Sequence, residues 1–201
     1  MAVWRGEKLV LASQSVIRRA MLENAGIPVE PHPADIDERA IEISAGLQDP
    51  TKIALHLASE KALAVASQKP GRIVVGADQT LALGAKRFSK PIDRAAARKQ
   101  LEMLAGQTHA LHSAVAVACD GTITFSHVDT ARLTMRKLSP VFLDAYLGAA
   151  GDAVTKSVGA YQLEKLGVHL FERIEGDHFT ILGLPLLALL HYLRLQGSIL
   201  A

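Results

Sequence analysis

The sequence predicts a mixed α/β protein, and two observations support this class. Short apolar segments alternate along the chain with segments of helical periodicity, which is the pattern of strands and helices that share one core. Residues 108–118 and 122–133 alternate apolar with polar side chains around Asp120-Gly121, a strong hairpin signal. Because a hairpin is antiparallel, we expect a mixed rather than a purely parallel sheet.

The first half of the chain shows clear boundaries for its elements. Gly26 follows the first helical pattern, and Pro70-Gly71 follows the second, as helix stop signals do. The predicted elements are strand 8–12, helix 16–25, an extended segment 27–31, helix 50–68, strand 72–77 continuing into 80–83, and a turn at 84–89.

The second half adds the hairpin and further helices. Pro91 and Gly106 bracket an alanine-rich helical pattern, and Ser139-Pro140 has the residue types of a helix start. The predicted elements are helix 92–105, the two hairpin strands, helix 139–147, strand 167–174 and helix 186–195. No repeat or long linker divides the 201 residues, so we expect one domain over 1–201.

Composition narrows the function class. The formal net charge is only +2 and aromatic residues make up 4%, which argues against a nucleic-acid-binding protein. The single cysteine, Cys119, is expected to be a buried, reduced thiol and excludes an intrachain disulfide. The start has no secretory pattern, and the apolar stretch 181–195 is too short and too interrupted to span a bilayer. We therefore expect a cytoplasmic protein without a membrane partner.

The most informative segment is the end of the first strand. The apolar run 9–12 breaks into Ser13-Gln14-Ser15 and then opens a helix that carries Arg18 and Arg19. Unpaired N–H groups at a helix start favour anions, and guanidinium groups match phosphate oxygens. The alternative is that Ser15 caps the helix while both arginines extend into water.

Carboxylates in two places suggest a divalent metal ion such as Mg²⁺. Residues 35–38 read Asp-Ile-Asp-Glu, and Asp78 directly follows a strand of small and apolar residues. Carboxylate oxygens suit Mg²⁺, which often bridges to a phosphate, and a buried strand rarely accepts an unpartnered Asp. For residues 35–38 the alternative is a solvated acidic loop that caps the next helix.

Three more polar residues extend the hypothesis to an anionic nucleotide. Lys61, within a helix, and Lys90, before Pro91, could each neutralise a polyphosphate, although single lysines are usually only solvated. Glu164 lies in a segment with small residues and could accept two hydrogen bonds from a guanine edge; the alternative is an ordinary exposed turn.

Eight motifs in order make the chain resemble the Maf family of nucleotide pyrophosphatases. They are LASQSVIRRAML (11–22), DIDE (35–38), SEKA (59–62), GADQT (76–80), KP (90–91), LAGQTHALHSAVAV (104–117), GAYQLEKLG (159–167) and ERIEGDHFTILGLPL (172–186). The resemblance implies an elongated mixed sheet with helices in two lobes around a central cleft, and a homodimer.

The resemblance also implies an activity and residue roles. The activity is metal-dependent hydrolysis of a nucleoside triphosphate to the monophosphate and diphosphate, in sanitation of the nucleotide pool, with Mg²⁺ as the metal and Mn²⁺ or Co²⁺ as alternatives. Asp78, Glu38 and Lys61 would be catalytic, and Glu38 and Asp78 would also bind the metal. The substrate would be bound by Ser13, Arg18, Arg19, Lys90, Gln79 and Glu164.

One departure from the family pattern bears on the base. Ile17 stands where the family usually has Arg or Trp, so a cation–π contact with a methylated base is lost there. Gln79 and Glu164 resemble the branch that acts on 7-methylguanosine triphosphate, so a guanine-type base is expected first. The alternatives are a dTTP/UTP pyrophosphatase and a nucleotide-binding regulator of cell division without turnover.

Overall fold

The computed structural model describes residues 3–200, and within them the chain forms seven β-strands and seven α-helices. The strands are β1 (Leu9–Leu11), β2 (Val29–Pro31), β3 (Val74–Leu83), β4 (Lys86–Phe88), β5 (Thr108–Cys119), β6 (Thr122–Met135) and β7 (Phe171–Glu175). The helices are α1 (Val16–Asn24), α2 (Glu38–Ala45), α3 (Pro50–Ala66), α4 (Arg94–Leu104), α5 (Pro140–Ala150), α6 (His178–Ile181) and α7 (Leu186–Leu195).

All seven strands belong to one mixed sheet. Its order is β2-β1-β3-β5-β6-β7, and β4 pairs with β3 outside this path. Strand β1 runs parallel to β2 and to β3, whereas β4 is antiparallel to β3 and β7 is antiparallel to β6. The predicted mixed α/β class is therefore confirmed.

The chain divides into two compact units, and the first of them is layered. It comprises the described residues up to Gln79, the segment His112–Asp129, and the residues from His178 onward. Side chains of β1 and β3 alternate between two apolar layers, as the two-residue period of a strand requires. Leu11 and Val75 pack with α1 and α7, whereas Val10 and Val74 pack with α3.

Helix α3 lies unusually close to β3 in this first unit. A Cβ atom added at Gly76 would lie 2.1 Å from the Ala58 carbonyl oxygen and 2.7 Å from the Ala62 nitrogen. Only glycine permits this approach, and small alanines on α3 complete it. This contact sets the distance between the two backbones, and therefore how long a side chain of α3 must be to contact a residue of β3.

The second unit consists of Thr80–Leu111 and Thr130–Asp177. Its interior holds His109, which is 1% exposed and lies 2.8 Å by its Nε2 from the Tyr161 hydroxyl. The Tyr146 hydroxyl donates to the carbonyl of Ala160, whose φ of 63° is rare for a residue with a side chain. This network supports a sharp turn next to Tyr161.

Several predicted boundaries differ in the structure. The predicted turn at 84–89 contains β4, because the chain folds back on β3 after Gly84 and pairs again. The helix expected from residue 92 starts at Arg94, since Asp93 caps it by accepting from the Ala96 N–H. The strand expected at 167–174 starts at Phe171, because Leu166–Leu170 forms a 3-10 helix.

Two further features were missed or wrong. Helices α2 and α6 were not predicted, because α2 buries none of its residues and α6 spans four residues. Cys119 is only partly buried at the end of β5, next to the hairpin turn, where burial and Asp120 raise the pKa of its thiol.

Among the described residues, no helix is long and apolar enough to cross a membrane.

Candidate active site

The centre of the candidate site is an ion pair between α3 and β3. Asp78 follows Val74 and Gly76 on the face of β3 that meets α3, so its carboxylate points toward that helix. The Lys61 ammonium lies 2.6 Å from Asp78 Oδ1, and both side chains are 11% exposed. The close approach at Gly76 brings the lysine within this reach. The sequence prediction that Asp78 has a partner or a metal is thus met by a lysine.

Glu38 joins the same ammonium from a third element. Asp37 caps α2 by accepting from the Ala40 N–H at 3.0 Å, which places Glu38 at the first position of the helix. Glu38 Oε1 lies 2.9 Å from Lys61 Nζ, and the Glu38 side chain is 52% exposed. Two carboxylates share one ammonium, so one negative charge is not neutralised within this set. A further cationic group, either Arg18 or an added cation, would be attracted to it.

Arg18 approaches β3 from its other face. Ser15 caps α1 and accepts from the Arg18 N–H, as the alternative interpretation expected. The Arg18 side chain, however, does not extend into water as that alternative required. The guanidinium donates from Nε to the Gly183 carbonyl at 2.7 Å and from Nη1 to the Ala77 carbonyl at 2.8 Å. Nη1 also lies 3.4 Å from Ser13 Oγ. The described contacts leave the N–H groups of Nη2 for a ligand.

The electrostatics connect Arg18 to the carboxylates. Burial lowers the pKa of the Arg18 guanidinium, while the charges of Asp78 and Glu38 act in the opposite direction. The arginine is thus close enough to both carboxylates to interact with them. Ser13, Arg18, Glu38, Lys61 and Asp78, which lie far apart in the sequence, come together in the first unit.

The neighbouring arginine has a different environment. Arg19 Nε forms an ion pair with Glu23 Oε1 at 2.8 Å, one helical turn away, and both side chains are more than 40% exposed. This matches the alternative in which the side chain lies in water. The structure therefore does not bring Arg19 to the site through its observed contacts.

Gln79 lies next to Asp78 in sequence but faces the opposite side of β3. Its Nε2 contacts three oxygens, namely Ser113 Oγ at 2.8 Å, the Ile181 carbonyl at 3.0 Å and the Thr180 carbonyl at 3.2 Å. An amide has two N–H donors, so this nitrogen is fully engaged within the protein. Only the amide oxygen could accept from a substrate base.

Sequence reasoning missed Ser113 and Gly183. Ser113 is fully buried among apolar residues of β5, and a buried hydroxyl in such a strand signals a specific hydrogen bond. Gly183 lies between Leu182 and Leu184 in the motif 172–186, where no neighbouring residue indicates a contact. Its contact with Arg18 spans 165 positions of sequence and could not be read locally.

Two other predicted residues belong to the second unit. Lys90 is exposed two residues after β4, and Glu164 is exposed in the turn that precedes the Leu166–Leu170 helix. Neither has a described contact with the Lys61 cluster. Their roles in substrate binding stay predictions.

The carboxylates of Glu38 and Asp78 have the chemistry to hold a divalent cation that also contacts a phosphate. Within residues 3–200, no group of three or more His, Cys, Asp or Glu side chains is arranged to hold a metal. Asp37 is used as a helix cap, which leaves Glu38 and Asp78 together. Mg²⁺ is typically bound by one or two carboxylates, several waters and substrate phosphates, so two carboxylates are sufficient.

A family model for Maf-like proteins matches residues 8–196. The chain belongs to the Maf family. It is 61% identical over 200 residues to a nucleoside triphosphate pyrophosphatase from Bradyrhizobium diazoefficiens, covering 99% of each chain. It is 57% identical over 197 residues to a protein of the same name from Rhodopseudomonas palustris, covering 98% of each.

A third relative bears a narrower name. It is a 7-methyl-GTP pyrophosphatase from Mesorhizobium japonicum, 51% identical over 197 residues, with 96% of this chain and 98% of the relative covered. Among solved structures, a HAM1 protein from Coxiella burnetii gives a TM-score of 0.44 at 17% identity, over 65% of this chain and 73% of that chain. That likeness is too distant to support a conclusion.

Proposed function

We propose that this Maf protein hydrolyses a nucleoside triphosphate to the monophosphate and diphosphate. The observation that carries the proposal is the Lys61 ammonium held between Asp78 at 2.6 Å and Glu38 at 2.9 Å. Hydrolysis of a phosphoric anhydride needs positive charge on the polyphosphate and a carboxylate beside the attacking water. Lys61 and Arg18 supply the cationic groups and Asp78 supplies the carboxylate, and relatives over nearly the full length bear the name of this activity.

The positions of these residues support the roles that we assign to them. Asp78, on the rigid strand β3, accepts the proton of the attacking water. Lys61 is nearly buried, so its charge is weakly screened and stabilises the negative charge that develops on the leaving diphosphate. Nη2 of Arg18, which the described contacts leave for a ligand, and the Ser13 hydroxyl bind a phosphate group in this proposal. Lys90 stays a predicted substrate-binding residue.

The metal requirement is part of the same proposal. Glu38 and Asp78 would hold a divalent cation, which when bound polarises phosphate oxygens and lowers the pKa of coordinated water. Glu38 is half exposed at a helix start and is free to turn from Lys61 to the cation. Mg²⁺ is the first candidate, followed by Mn²⁺ and Co²⁺.

A guanine-type base, with 7-methylguanosine triphosphate included, is the proposed preference. Glu164 is exposed and its carboxylate is acceptor-only, which suits the two adjacent N–H donors of a guanine edge. The relative from Mesorhizobium japonicum bears the name of a 7-methyl-GTP pyrophosphatase. Gln79 could contribute only its amide oxygen to such a base.

The test is product analysis over a panel of triphosphates. GTP, 7-methyl-GTP, dTTP and UTP are incubated with the protein and Mg²⁺, and products are separated by ion-exchange chromatography. We expect monophosphate and diphosphate in equal amounts, the highest kcat/KM on a guanine nucleotide, and loss of turnover with a chelator. Release of inorganic phosphate, or saturable binding without any product, would contradict the reaction. A preference for dTTP or UTP would contradict the base assignment alone.

A further inference from the structure

The turn after α6 contacts Arg18 closely at a glycine, Gly183. Gly183 has a φ of 97°, a conformation that residues with a side chain rarely adopt. A Cβ atom there would lie 3.3 Å from both Nε and Nη2 of Arg18. The Gly183 carbonyl accepts from Nε at 2.7 Å. Any larger residue at 183 would therefore displace the guanidinium by a few tenths of an ångström.

The same turn is fixed from its other end. The Ser113 hydroxyl donates to the Thr180 carbonyl at 2.6 Å, and the Gln79 amide donates to the Thr180 and Ile181 carbonyls. Both side chains come from central strands of the sheet, β5 and β3. The Gly183 N–H also donates to the Thr180 carbonyl at 3.1 Å, so these bonds meet at the start of the turn that carries Gly183.

We propose that Gly183 is a positioning residue for catalysis, and that Ser113 and Gln79 hold its turn in place. Fixing Nε on Gly183 and Nη1 on Ala77 leaves Nη2 as the edge of the guanidinium that meets a phosphate. Such preorganisation lowers the cost of aligning the substrate. The inference rests on the proposed function, because it assigns Arg18 a phosphate to bind.

As a consequence, adjacent residues of β3 have different roles. Asp78 faces the Lys61 cluster, whereas Ala77 and Gln79 face Arg18 and the turn after α6. One strand thus aligns both the carboxylate and the arginine. In this arrangement Gln79 acts through the turn, and its effect on base choice is secondary.

The test is a double-mutant cycle between Gly183 and Arg18. The wild type, Gly183→Ala, Arg18→Lys and the double variant are compared by kcat and KM on the best triphosphate with Mg²⁺. We expect Gly183→Ala to lower kcat/KM roughly 10-fold in the wild type but less than about 3-fold in the Arg18→Lys background, because the two residues act as one unit. Multiplication of the two single effects would overturn the inference.

A matched control separates positioning from backbone strain. Gly197 has a φ of 70° in the same unit, but a Cβ there would meet nothing within 4 Å. Gly197→Ala should therefore lower the melting temperature as Gly183→Ala does while kcat/KM stays within about 2-fold. Equal losses of activity in both variants would show that strain alone is responsible and would overturn the inference.

A milder variant covers the case in which Gly183→Ala does not fold. Ser113→Ala removes the hydroxyl that donates to Thr180, and we expect a decrease in kcat/KM of roughly 3- to 5-fold that disappears in the Arg18→Lys background. An undiminished effect in that background would overturn the inference. A wild type without turnover overturns the proposed function and this inference with it, whereas an active wild type with a multiplicative cycle overturns the inference alone.

Discussion

The buried titratable groups of the two units differ in their partners. In the first unit, Lys61, Glu38 and Asp78 form direct ion pairs, and the cluster is open to solvent on the Glu38 side. In the second unit, burial lowers the pKa of His109 to about 4 and raises the pKa of Tyr146 to about 12, so both stay neutral at pH 7. Burial also raises the pKa of Tyr161.

This difference separates the residues that we assign to catalysis from those that stabilise the fold. Charged groups lose hydration energy when they form ion pairs, so a partly open cluster of charges costs free energy. Such clusters are concentrated at functional sites. The neutral His109–Tyr161 pair instead holds the turn at Gly159 and Ala160 in its strained conformation. We therefore expect substitutions of Lys61, Glu38 or Asp78 to change turnover, and those of His109 to change stability.

The largest effect is expected at Asp78. Asp78→Asn keeps the volume but removes the proton acceptor, so kcat should fall on the order of 1,000-fold. Diphosphate release measured at saturating triphosphate checks this. Asp129→Asn, which alters an exposed carboxylate paired with His127 in the same unit, is the matched control. An Asp78→Asn protein with near-normal kcat would contradict the assignment.

Lys61 comes second. Lys61→Met keeps a long side chain but removes the charge, which leaves Asp78 nearly buried without its partner. We expect kcat/KM to fall roughly 100-fold, since one well-placed charge contributes about 10²–10³ to such reactions. Lys52→Met, on the exposed side of the same helix, should have little effect. Equal kinetics for the two variants would mean that the cluster is structural.

The adjacent arginines give a smaller, internal comparison. Arg18→Lys loses the planar fork that contacts Gly183 and Ala77, and we expect roughly a 10- to 30-fold lower kcat/KM. Arg19→Lys should change it less than about 2-fold, because Arg19 pairs with Glu23 in solvent. Steady-state kinetics on both variants checks this. A larger decrease in kcat/KM for Arg19→Lys would show that Arg19 belongs to the site.

The smallest effect on turnover is expected at His109, where the readout is stability against pH. The folded pKa is about 4 against 6.5 for a free histidine, so between these values the unfolded chain binds more protons. Stability is therefore complete above pH 6.5 and is lost as the pH falls toward 4, by on the order of 3 kcal/mol.

Thermal melting of wild type and His109→Gln from pH 4 to 8 measures this dependence. The variant should melt lower at pH 7 but show a flatter decline on the acid side. His191→Gln, at an exposed position on α7, should retain the wild-type slope. An unchanged slope in His109→Gln would show that other groups cause the acid loss.

Local signals predicted much of the fold and part of the site. Ser15 as a cap, the Asp120-Gly121 hairpin and the periodicity of α3 each depend on a few neighbouring residues, and each is confirmed. Asp78 could be singled out because a charge directly after a buried strand is costly. The 3-10 helix before β7 was mistaken for strand, because its short apolar run has no distinguishing period.

The sequence could not predict which residues from distant parts of the chain contact one another. The meeting of Lys61 with both carboxylates depends on the close approach of α3 to Gly76, which no local pattern encodes. Helix α2, which carries Glu38, spans only eight residues and buries none of them, and it was not predicted. The contact of Arg18 with Gly183 likewise arises only when the ends of the chain pack together.

The most direct test is a crystal structure of the Asp78→Asn protein with Mg²⁺ and the preferred triphosphate, since this variant should hold its substrate without cleaving it. We predict phosphate oxygens within hydrogen-bonding distance of Lys61 Nζ and Arg18 Nη2, with the cation on Glu38. A triphosphate bound elsewhere, with the contacts of Lys61 and Arg18 unchanged, would contradict the account.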